Sequence, residues 1–457
     1  MATVGMTVED GYPKPSDIWT ALNEPWCDQI QQIPSGAVVL INTAEPTQFL
    51  TYFWTGLLAN ATLILANPSW RQQEWQQVAE QLAPDIVLGE SPPVSFKLSS
   101  PRPAPGQILI ATGGTSGQIK FVIHTWVTLT AAAHGFLAHF GQQPVNCYCV
   151  LPLHHVSGLM QAMRVWLSGG TLIVQSFRQL ANGQYLVQPD RSWFISLVPT
   201  QLQCLIEHIR TVEWLTQFRA ILLGGAPAWS ILLTQSAQLP IALTYGMSET
   251  AAQIATLLPE EFSQGSCSNG APLPHVQLEI HHPKSSQTQP IGTLGRIALR
   301  SPSLGLGYWP NRPFAQPQAW FYPDDLGYLD QRGHLHVVGR NSQKIISGGE
   351  NVFPAEVESA LLATGLVRDV CVMGLPDPTW GQSVAALYVS TAAQTITPQQ
   401  LKQALKPILS SYKHPKRWQR VDQIPRNAQG KVSRSQVMAL LRQSTGPAQD
   451  SGDDAGD

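Results

Sequence analysis

Apolar runs of strand length alternate with helical patterns through the first hundred residues of the chain. The runs AVVLINT (37–43) and ATLILANP (61–68) are followed by WRQQEWQQVAEQLAP (70–84), which has the periodicity of a helix. Strands that alternate with helices are joined by crossover connections, which place the strands parallel in one sheet. The pattern therefore predicts an α/β fold with helices covering a parallel sheet, and similar units continue to about residue 255.

The pattern changes twice further along the chain. From 267 to 340, short apolar runs separated by Gly, Pro and Asn predict a small antiparallel β subdomain. Beyond it, a helix over 354–364, two strands and a helix over 398–409 predict a compact α+β module. Because 457 residues exceed what one core usually organises, we expect at least two domains. The predicted divisions are an N-terminal domain over 1–340, a C-terminal domain over 341–445 and an acidic, disordered tail over 446–457.

Composition excludes several classes of protein. The formal net charge is -2 without a basic run, which argues against a nucleic-acid partner. No stretch of about 18 apolar residues predicts a membrane span. The six cysteines include no CxxC pair, so neither a zinc site nor a thioredoxin-like motif is indicated. We expect a soluble, cytoplasmic protein that acts on small molecules, and homo-oligomerisation is left open.

Two segments that follow apolar strands carry residue types that suit phosphate. ATGGTSGQIK (111–120) packs glycines and hydroxyls into a turn whose N–H groups suit a phosphate, and Lys120 adds a cation, although the spacing of a Walker A loop is absent. In LTYGMSETAA (243–252), Ser248 suits a phosphate and Glu249 suits Mg²⁺, which prefers carboxylate and phosphate oxygens. For each segment taken alone, an ordinary loop or a helix N-terminus is the alternative.

Two later segments add further polar groups. WFYPDDLGYLD holds Asp325, a carboxylate suited to bridging the hydroxyls of a ribose, and the following stretch brings Arg340 and the pair Gly348–Gly349. IPRNAQGKVSR presents a Gly-Lys turn in which Lys431 is a point-charge partner for phosphate. Taken singly, these residues are equally well explained as turns and solvated surface charges.

Together the four segments resemble the adenylate-forming enzymes, which comprise acyl-CoA synthetases, luciferases and peptide-synthetase adenylation domains. TGGTSGQIK stands where that family has TSGTTGxPK, YGMSE where it has YGxTE, DDLG where it has GDxG, and PRNAQGK where it has PKTxxGK. The resemblance spans residues 108–435. It implies a large N-terminal domain of parallel-sheet α/β subdomains plus a small β subdomain, followed by a small mobile α+β domain. The implied reaction uses ATP to activate an acid as its acyl-adenylate, from which CoA takes the acyl group.

The resemblance also implies roles for individual residues. Phosphate contacts and catalysis fall to Thr112, Thr115, Ser116, Lys120, Ser248, Glu249 and Lys431, with Glu249 as the Mg²⁺ ligand. Nucleotide binding falls to Gly224, Gly225, Ala226, Tyr245, Gly246, Asp325 and Arg340. Gly348 and Gly349 are implied at the CoA channel, and Ser342 is the implied hinge about which the small domain rotates between the two half-reactions. ATP, Mg²⁺ and CoA are the implied cofactors.

Departures from the family pattern leave the charged groups in place. Ile119 replaces the usual proline of the phosphate loop, Gly113 replaces a serine, and Ser342 stands where Asp or Lys is frequent. In the first half-reaction a carboxylate must approach an anionic α-phosphate, so Lys431, Lys120 and Mg²⁺ are expected to offset the repulsion. We therefore expect an active enzyme.

The stretch LPLHHVSGLMQAMRVWLSGG (151–170) indicates which acid the enzyme activates. It resembles the corresponding stretch of o-succinylbenzoate-CoA ligases of menaquinone and phylloquinone biosynthesis, and SGGENVFPAEVE and the short chain agree with this. Their substrate has two carboxylates, of which the aromatic one must be recognised intact. A buried carboxylate needs paired donors, so His155, Ser157 and Arg164 are the candidate substrate-binding residues. A packed, uncharged His155 and a surface Arg164 are the alternatives.

Three other functions are alternatives to this one. Another aryl- or acyl-CoA ligase is the nearest alternative. An adenylation enzyme that loads a carrier protein is expected to carry a pocket Asp for an amino group, and no adjacent carrier domain is present. An inert paralogue is disfavoured because Glu249, Asp325, Arg340 and Lys431 are all present.

Overall fold

The computed structural model of the protein describes two compact units. The described residues are 8–9, 12–13, 32–97, 101–113, 118–141, 144–310, 312–314, 319–391, 396–426 and 432–443. The units divide the chain between Val337 and Val338. The predicted tail over 446–457 lies outside the described residues.

The first unit, together with the strand that ends at Arg340, alternates strands and helices along most of its length. Its strands are β1 (Val8–Glu9), β2 (Tyr12–Pro13), β3 (Val38–Asn42), β4 (Thr62–Leu65), β5 (Ile86–Gly89), β6 (Gln107–Gly113), β7 (Ile119–Thr125), β8 (Asn146–Cys149), β9 (Leu172–Val174), β10 (Trp193–Leu197), β11 (Ala220–Leu223), β12 (Ile241–Met247), β13 (Ala252–Thr256), β14 (Ala271–Pro272), β15 (Gln277–His281), β16 (Gly295–Arg300), β17 (Gly307–Trp309), β18 (Arg312–Pro313), β19 (Asp325–Leu329) and β20 (Leu335–Arg340). Its helices are α1 (Pro46–Leu58), α2 (Gln72–Gln81), α3 (Trp126–Phe140), α4 (Val156–Ser168), α5 (Phe177–Ala181), α6 (Pro199–Ile206), α7 (Ile209–Leu215), α8 (Ser230–Gln235) and α9 (Pro259–Ser263).

Two large sheets share one design, a parallel centre extended by antiparallel strands at one side. The first has the order β18-β17-β7-β6-β4-β3-β5, in which β5, β3, β4 and β6 are parallel neighbours and the other pairs are antiparallel. The second has the order β14-β13-β12-β11-β10-β8-β9, parallel from β9 to β12 and antiparallel beyond. Strands β15, β16, β19 and β20 form a third sheet, and β1 pairs with β2.

The parallel strands are buried on both faces because helices cover both. Along β3 every residue is buried, as is typical of strands inside a parallel sheet. Val39 and Ile41 pack in a core with Phe53 of α1, whereas Leu40 packs in a second core with Val78 of α2. Successive side chains of a strand point to opposite faces, so this alternation fixes the register of the strand between its two helices. The predicted α/β fold class is confirmed.

Part of the stretch that was predicted as a separate antiparallel subdomain over 267–340 belongs instead to the large sheets. Strand β14 joins the second sheet, and β17 and β18 join the first. The physical reason is burial of Trp309, which lies opposite Phe121 in the β7–β17 pair and whose Nε1 donates to the carbonyl oxygen of Gln81 at 2.9 Å. The prediction was correct for the third sheet and wrong for these three strands.

Helix ends differ from the predicted bounds where capping groups intervene. The helix predicted over 70–84 covers only Gln72–Gln81, because Arg71 before it and Leu82 after it are extended. The helix predicted to reach residue 409 ends at Leu405, shortly before Pro407, whose ring cannot continue a helix.

The second unit is a single mixed sheet with helices. Its remaining elements are β21 (Ile345–Ser347), β22 (Glu350–Val352), α10 (Pro354–Ala363), β23 (Val367–Asp377), β24 (Gly381–Ser390), α11 (Pro398–Leu405), β25 (Arg417–Arg420) and α12 (Arg434–Gln443). The sheet has the order β22-β21-β24-β23, and β25 adds to β24 in parallel. One core includes Val357 and Leu401, and the other includes Leu387 and Leu441, so each face of the sheet is covered. In neither unit do the described residues include a helix with the length and unbroken apolarity that a bilayer crossing needs.

Gly270 provides a test of the packing at the edge of the second sheet. It has a φ of +78°, and a Cβ there would lie 2.0 Å from the backbone nitrogen of Leu257. We expect Gly270→Ala to lower the free energy of unfolding by more than about 3 kcal/mol, since overpacking and a left-handed alanine each cost about 1–2 kcal/mol or more. Gly265→Ala is the control, because its φ is +91° but its Cβ would meet no atom within 4 Å, so only about 1–2 kcal/mol should be lost. Equal losses in denaturant unfolding would contradict the packing argument.

Candidate active site

The predicted nucleotide-binding and catalytic residues of the second sheet follow the carboxyl ends of its parallel strands. Gly224, Gly225 and Ala226 come directly after β11, and the Ser248–Glu249 pair comes directly after β12. In open α/β sheets this edge is where ligands bind. These residues therefore lie at one edge of the second sheet, although helix α8 separates β11 from β12 in the sequence.

Ser248 and Glu249 lie in a tight turn with an unusual backbone. Ser248–Thr250 form one 3-10 turn, in which the hydroxyl of Thr250 accepts from the N–H of Met247 at 3.2 Å and donates to the carbonyl oxygen of Ala252 at 2.8 Å. Ala251 and Ala252 then have φ values of +52° and +91°. Such non-glycine conformations cost of order 1–3 kcal/mol each and concentrate at functional sites. The surrounding hydrogen bonds hold this turn in a strained shape.

The carboxylate of Glu249 is bound by a residue that sequence reasoning missed. The hydroxyl of Tyr308, on β17, donates to Oε1 of Glu249. The ring centroid of Tyr308 lies 5.5 Å from the Nζ of Lys120, a distance that permits a cation–π interaction. Gly305 adds a backbone contact, donating its N–H to the carbonyl oxygen of Glu249 at 2.8 Å. The first and second sheets therefore meet at the predicted phosphate and metal residues.

The Glu249 carboxylate suits a magnesium ion of the kind that ATP brings. Mg²⁺ is usually held by one or two carboxylates plus phosphate oxygens and waters, not by an all-protein cage. Glu249 is only partly buried, and its second oxygen has no protein donor among the described contacts. Among the described ranges no group of three or more His, Cys, Asp or Glu side chains is arranged for a metal, so a bare protein cage is not available there.

His124 is a second residue that sequence reasoning missed. It is fully buried on β7, where its Nε2 lies 2.7 Å from the carbonyl oxygen of Ser248 and its Nδ1 lies 2.9 Å from Oγ1 of Thr128. Burial lowers the pKa of the His124 imidazole to about 4, so the ring is neutral at physiological pH. This histidine connects the first sheet to the turn that carries Glu249.

Two predicted nucleotide residues are joined by a hydrogen bond. The hydroxyl of Tyr245 donates to Oδ2 of Asp325 at 2.6 Å, which links β12 to β19 of the third sheet. Gly246 follows at an irregularity of the β12–β13 pair, and a Cβ there would lie 1.9 Å from the carbonyl oxygen of Ala252. A side chain at Gly224 would likewise lie 2.3 Å from Oγ1 of Thr244. Gly246 is therefore required by close backbone approach, and Gly224 by the side chain of Thr244.

The phosphate-loop hairpin is described on both of its strands. Thr112 on β6 lies opposite Lys120 on β7. The strand is anchored to α2, because the N–H of Ile119 donates to Oε1 of Gln77 at 2.9 Å and its carbonyl accepts from Gln81 at 3.1 Å. The predicted phosphate residues Thr115 and Ser116 lie outside the described residues.

The other predicted residues belong to the second unit. Arg340 and Ser342 are exposed, the latter in a 3-10 turn over Asn341–Gln343. Gly348 and Gly349 form the two-residue turn between β21 and β22, and their φ values of +61° and +86° are those that such hairpin turns require.

Lys431 lies outside the described residues, but the residues that flank its segment are described. Arg426 and Val432 form an antiparallel bridge, and Arg426 contacts the carboxylate of Asp369 at 2.8 and 2.9 Å.

The three candidate substrate residues have different surroundings. His155 is partly buried and precedes α4, its carbonyl accepting from the N–H of Leu159 at 2.9 Å, whereas Ser157 is exposed. Arg164 is only 4% exposed, so the alternative of a surface charge is wrong.

The buried guanidinium of Arg164 is held by two residues outside the predicted set. It donates to Oε1 of Gln253, and its Cζ lies 4.1 Å from the ring centroid of Phe136. Burial lowers the pKa of Arg164 to about 10, which leaves it cationic at neutral pH. Its Nε has no hydrogen-bond acceptor and no carboxylate pairs with it among the described residues. Since Gln253 lies opposite Gly246 in the β12–β13 pair, this cation lies behind the predicted nucleotide strand.

Comparisons with known proteins identify the family of the chain. Residues 97–309 match the family of AMP-binding enzymes, and residues 356–431 match the AMP-binding enzyme C-terminal domain. A 2-succinylbenzoate-CoA ligase from Geobacillus sp. (strain WCH70) is 36% identical over 340 residues, which are 73% of this chain and 68% of that protein.

Solved structures extend the similarity over nearly the whole chain. The o-succinylbenzoate CoA synthetase of Bacillus subtilis in complex with the acyl-adenylate intermediate OSB-AMP has a TM-score of 0.75 at 26% identity, covering 90% of this chain and 89% of that one. The same protein with ATP and a magnesium ion has a TM-score of 0.76, also at 26% identity, covering 90% of this chain and 91% of that one.

The chain belongs to the AMP-binding enzyme family. The resemblance to the adenylate-forming enzymes is thereby confirmed. Within them, the particular resemblance to o-succinylbenzoate-CoA ligases is confirmed as well.

The burial of His124 predicts a pH dependence of stability. The imidazole has an ordinary pKa of 6.5, and in the folded protein this falls to about 4, so between these values the unfolded chain binds more protons. Stability is therefore lost as the pH falls from about 6.5 towards 4. His124→Gln removes this contribution, and its free energy of unfolding should decline less steeply by up to about 1.4 kcal/mol per pH unit. Denaturant unfolding at several pH values would measure both slopes, and parallel curves would disprove the assignment.

Proposed function

We propose that this protein is an AMP-forming acid–thiol ligase that converts 2-succinylbenzoate to 2-succinylbenzoyl-CoA through an acyl-adenylate, with release of AMP and pyrophosphate. The observation that supports this is the convergence of Ser248, Glu249 and Lys120 where the first and second sheets meet, in a chain whose relatives include 2-succinylbenzoate-CoA ligases. The reaction is a step of menaquinone or phylloquinone biosynthesis. It takes place in the cytoplasm, where ATP and CoA are supplied and the five described cysteines keep free thiols.

In the first half-reaction the protein has to hold an anionic nucleotide against an anionic acid. Tyr245 and Asp325, already hydrogen-bonded to each other, bind the nucleoside, and Ser248 and Lys120 contact the phosphates. Mg²⁺ bound by Glu249 supplies positive charge that the phosphates need. Preorganised donors of this kind stabilise charge that develops in the transition state without reorganising during the reaction.

Lys431 is assigned to the first half-reaction alone. Its ammonium bridges the attacking carboxylate and the α-phosphate, and rotation of the small domain about Ser342 then replaces it with Gly348 and Gly349 for CoA transfer. Once the adenylate has formed, the second step requires mainly the thiol in line and water excluded.

Lys431→Ala tests this division. We expect it to abolish adenylate formation, measured as ATP–pyrophosphate exchange, while thioester formation from supplied acyl-adenylate stays largely intact, because the charge is needed only when carboxylate meets phosphate. Lys406→Ala is the control. Lys406 is an exposed lysine of the second unit that has no predicted role, so its removal should leave both steps unchanged. Equal losses in both half-reactions for Lys431→Ala would refute the two-conformation assignment.

Arg164 is assigned to recognition of the carboxylate that the enzyme does not activate. A buried cation without an acid partner is costly, and a substrate carboxylate is the group that offsets the cost. In a low-dielectric interior the attraction acts over several ångströms, so direct contact is not required. Gln253 and Phe136 hold the guanidinium in place, and His155 and Ser157 lie at the start of the same helix, α4.

The magnitude of substrate discrimination tests Arg164. We expect wild type to prefer o-succinylbenzoate over 4-oxo-4-phenylbutyrate, which lacks the ring carboxylate, by roughly 10⁴-fold in kcat/KM. The reason is that the acid without the ring carboxylate leaves buried donors unpaired. Arg164→Leu should reduce this preference by about 100-fold or more, and Arg164→Lys, which keeps the charge, should retain most of it.

Each contrary outcome has its own meaning. Comparable wild-type rates on the two acids would refute the o-succinylbenzoate assignment and favour a general aryl-acyl ligase, for which an apolar pocket discriminates only about 10- to 200-fold per methylene. An undiminished preference in Arg164→Leu would keep the function and remove Arg164 from recognition.

A further inference from the structure

We propose that His124 and Thr128 are positioning residues for the adenylation step. They hold the backbone carbonyl of Ser248, and through it the Ser248 hydroxyl and the Glu249 carboxylate, in the place that the ATP phosphates require. The inference rests on the proposed function, within which neither residue has a role so far.

The chemistry of the contacts fixes the direction of both hydrogen bonds. The carbonyl oxygen of Ser248 can only accept, so Nε2 of His124 carries the proton at 2.7 Å from it. The buried ring is neutral, and its Nδ1 is therefore an acceptor for the hydroxyl of Thr128 at 2.9 Å. The Ser248 carbonyl thus selects the tautomer, and Thr128 holds the ring in place by donating to Nδ1 instead of to the carbonyl oxygen of Thr125, which lies 3.0 Å from the same hydroxyl oxygen. With the other tautomer, a lone pair of Nε2 would face the carbonyl oxygen.

The turn is bound at three points, and all three belong to β7 or to chain packed on it. His124 binds the Ser248 carbonyl, Gly305 binds the Glu249 carbonyl, and Tyr308 binds the Glu249 carboxylate. Gly305 is pressed onto β7, since a Cβ there would lie 2.9 Å from the carbonyl oxygen of Ile123. The position of the turn is therefore defined relative to one strand.

That strand also carries the predicted phosphate cation. Lys120 and His124 are four residues apart on β7, so both side chains lie on the same face, at a spacing of about 13 Å between their Cα atoms. Tyr308 stands opposite Val122, between them on the neighbouring strand. Strand β7 thereby sets the distance between Lys120 and the turn that carries Glu249, because His124 fixes that turn to the same strand.

Four variants separate positioning from general stability. His124→Leu removes the donor, His124→Gln places an amide N–H near the original Nε2, and Thr128→Val keeps the ring but removes its hydrogen bond at Nδ1. His334→Leu is the matched control, because His334 is also buried but its ring nitrogens lie 3.2 Å from Oγ of Ser268 and 3.3 Å from Oε1 of Glu261 instead of facing the turn. For each variant we would measure ATP–pyrophosphate exchange, its dependence on Mg²⁺ concentration, thioester formation from supplied acyl-adenylate, and the unfolding midpoint.

A misplaced turn should affect one half-reaction only. His124→Leu should lower kcat/KM for exchange by about 100-fold and raise the Mg²⁺ concentration needed for half-maximal exchange, while thioester formation stays within about 3-fold of wild type. His124→Gln should recover most of the loss, and Thr128→Val should show a smaller fall in exchange in the same direction. His334→Leu should keep normal exchange even if its unfolding midpoint falls as far.

The outcomes distinguish this inference from the function beneath it. Wild type without exchange would overturn the proposed function and the inference together. An active wild type with unchanged exchange in His124→Leu, or with equal losses in both half-reactions, would overturn the inference alone. If His124→Leu does not fold, normal exchange and Mg²⁺ dependence in Thr128→Val overturn it instead.

Discussion

The antiparallel pairing of β7 with β17 is the interaction on which the proposed active site depends. It joins two segments that lie far apart in sequence, and burial of Trp309 against Phe121 stabilises it. The pairing brings Tyr308 to Lys120 and to the carboxylate of Glu249. Without this pairing, the β6–β7 hairpin and the turn that carries Glu249 would belong to two separate sheets, and Tyr308 would not connect them. The proposed site therefore depends on sheet pairing as much as on the sequence segments that contribute its residues.

Much of the candidate site lies in contiguous segments that sequence motifs single out. Tyr245, Ser248 and Glu249 stand side by side at the end of one strand, so a single motif finds all three. Tyr308 and His124 were missed because their partners are set by tertiary pairing. A polar side chain in the apolar run KFVIHT was nevertheless informative, because a buried imidazole has to find hydrogen-bond partners. The same limit explains the strands that were assigned to the wrong sheet.

Helix bounds and side-chain environment show the same contrast. The early end of α11 is local and readable, since Pro407 stands in the sequence just beyond it. The environment of Arg164 is not local. Its burial depends on Phe136 from α3 and Gln253 from β13, and no periodicity along α4 distinguishes an arginine that faces them from one that faces solvent. From the sequence, Arg164 could therefore be either buried or exposed, and only the packing of α3, α4 and β13 decides between the two.

Ala251 and Ala252 have a consequence for binding. Glycine would adopt both left-handed conformations freely, and the relief of about 1–2 kcal/mol of strain per residue would be only partly offset by the greater freedom of glycine in the unfolded chain, which costs about 0.4–1 kcal/mol. The alanines thus cost some stability and make the turn more rigid than glycines would. A turn with few alternative conformations has already lost, during folding, conformational entropy that a flexible turn would lose on meeting ATP. In the proposed role of the turn, part of the affinity for the nucleotide is determined before any nucleotide is present.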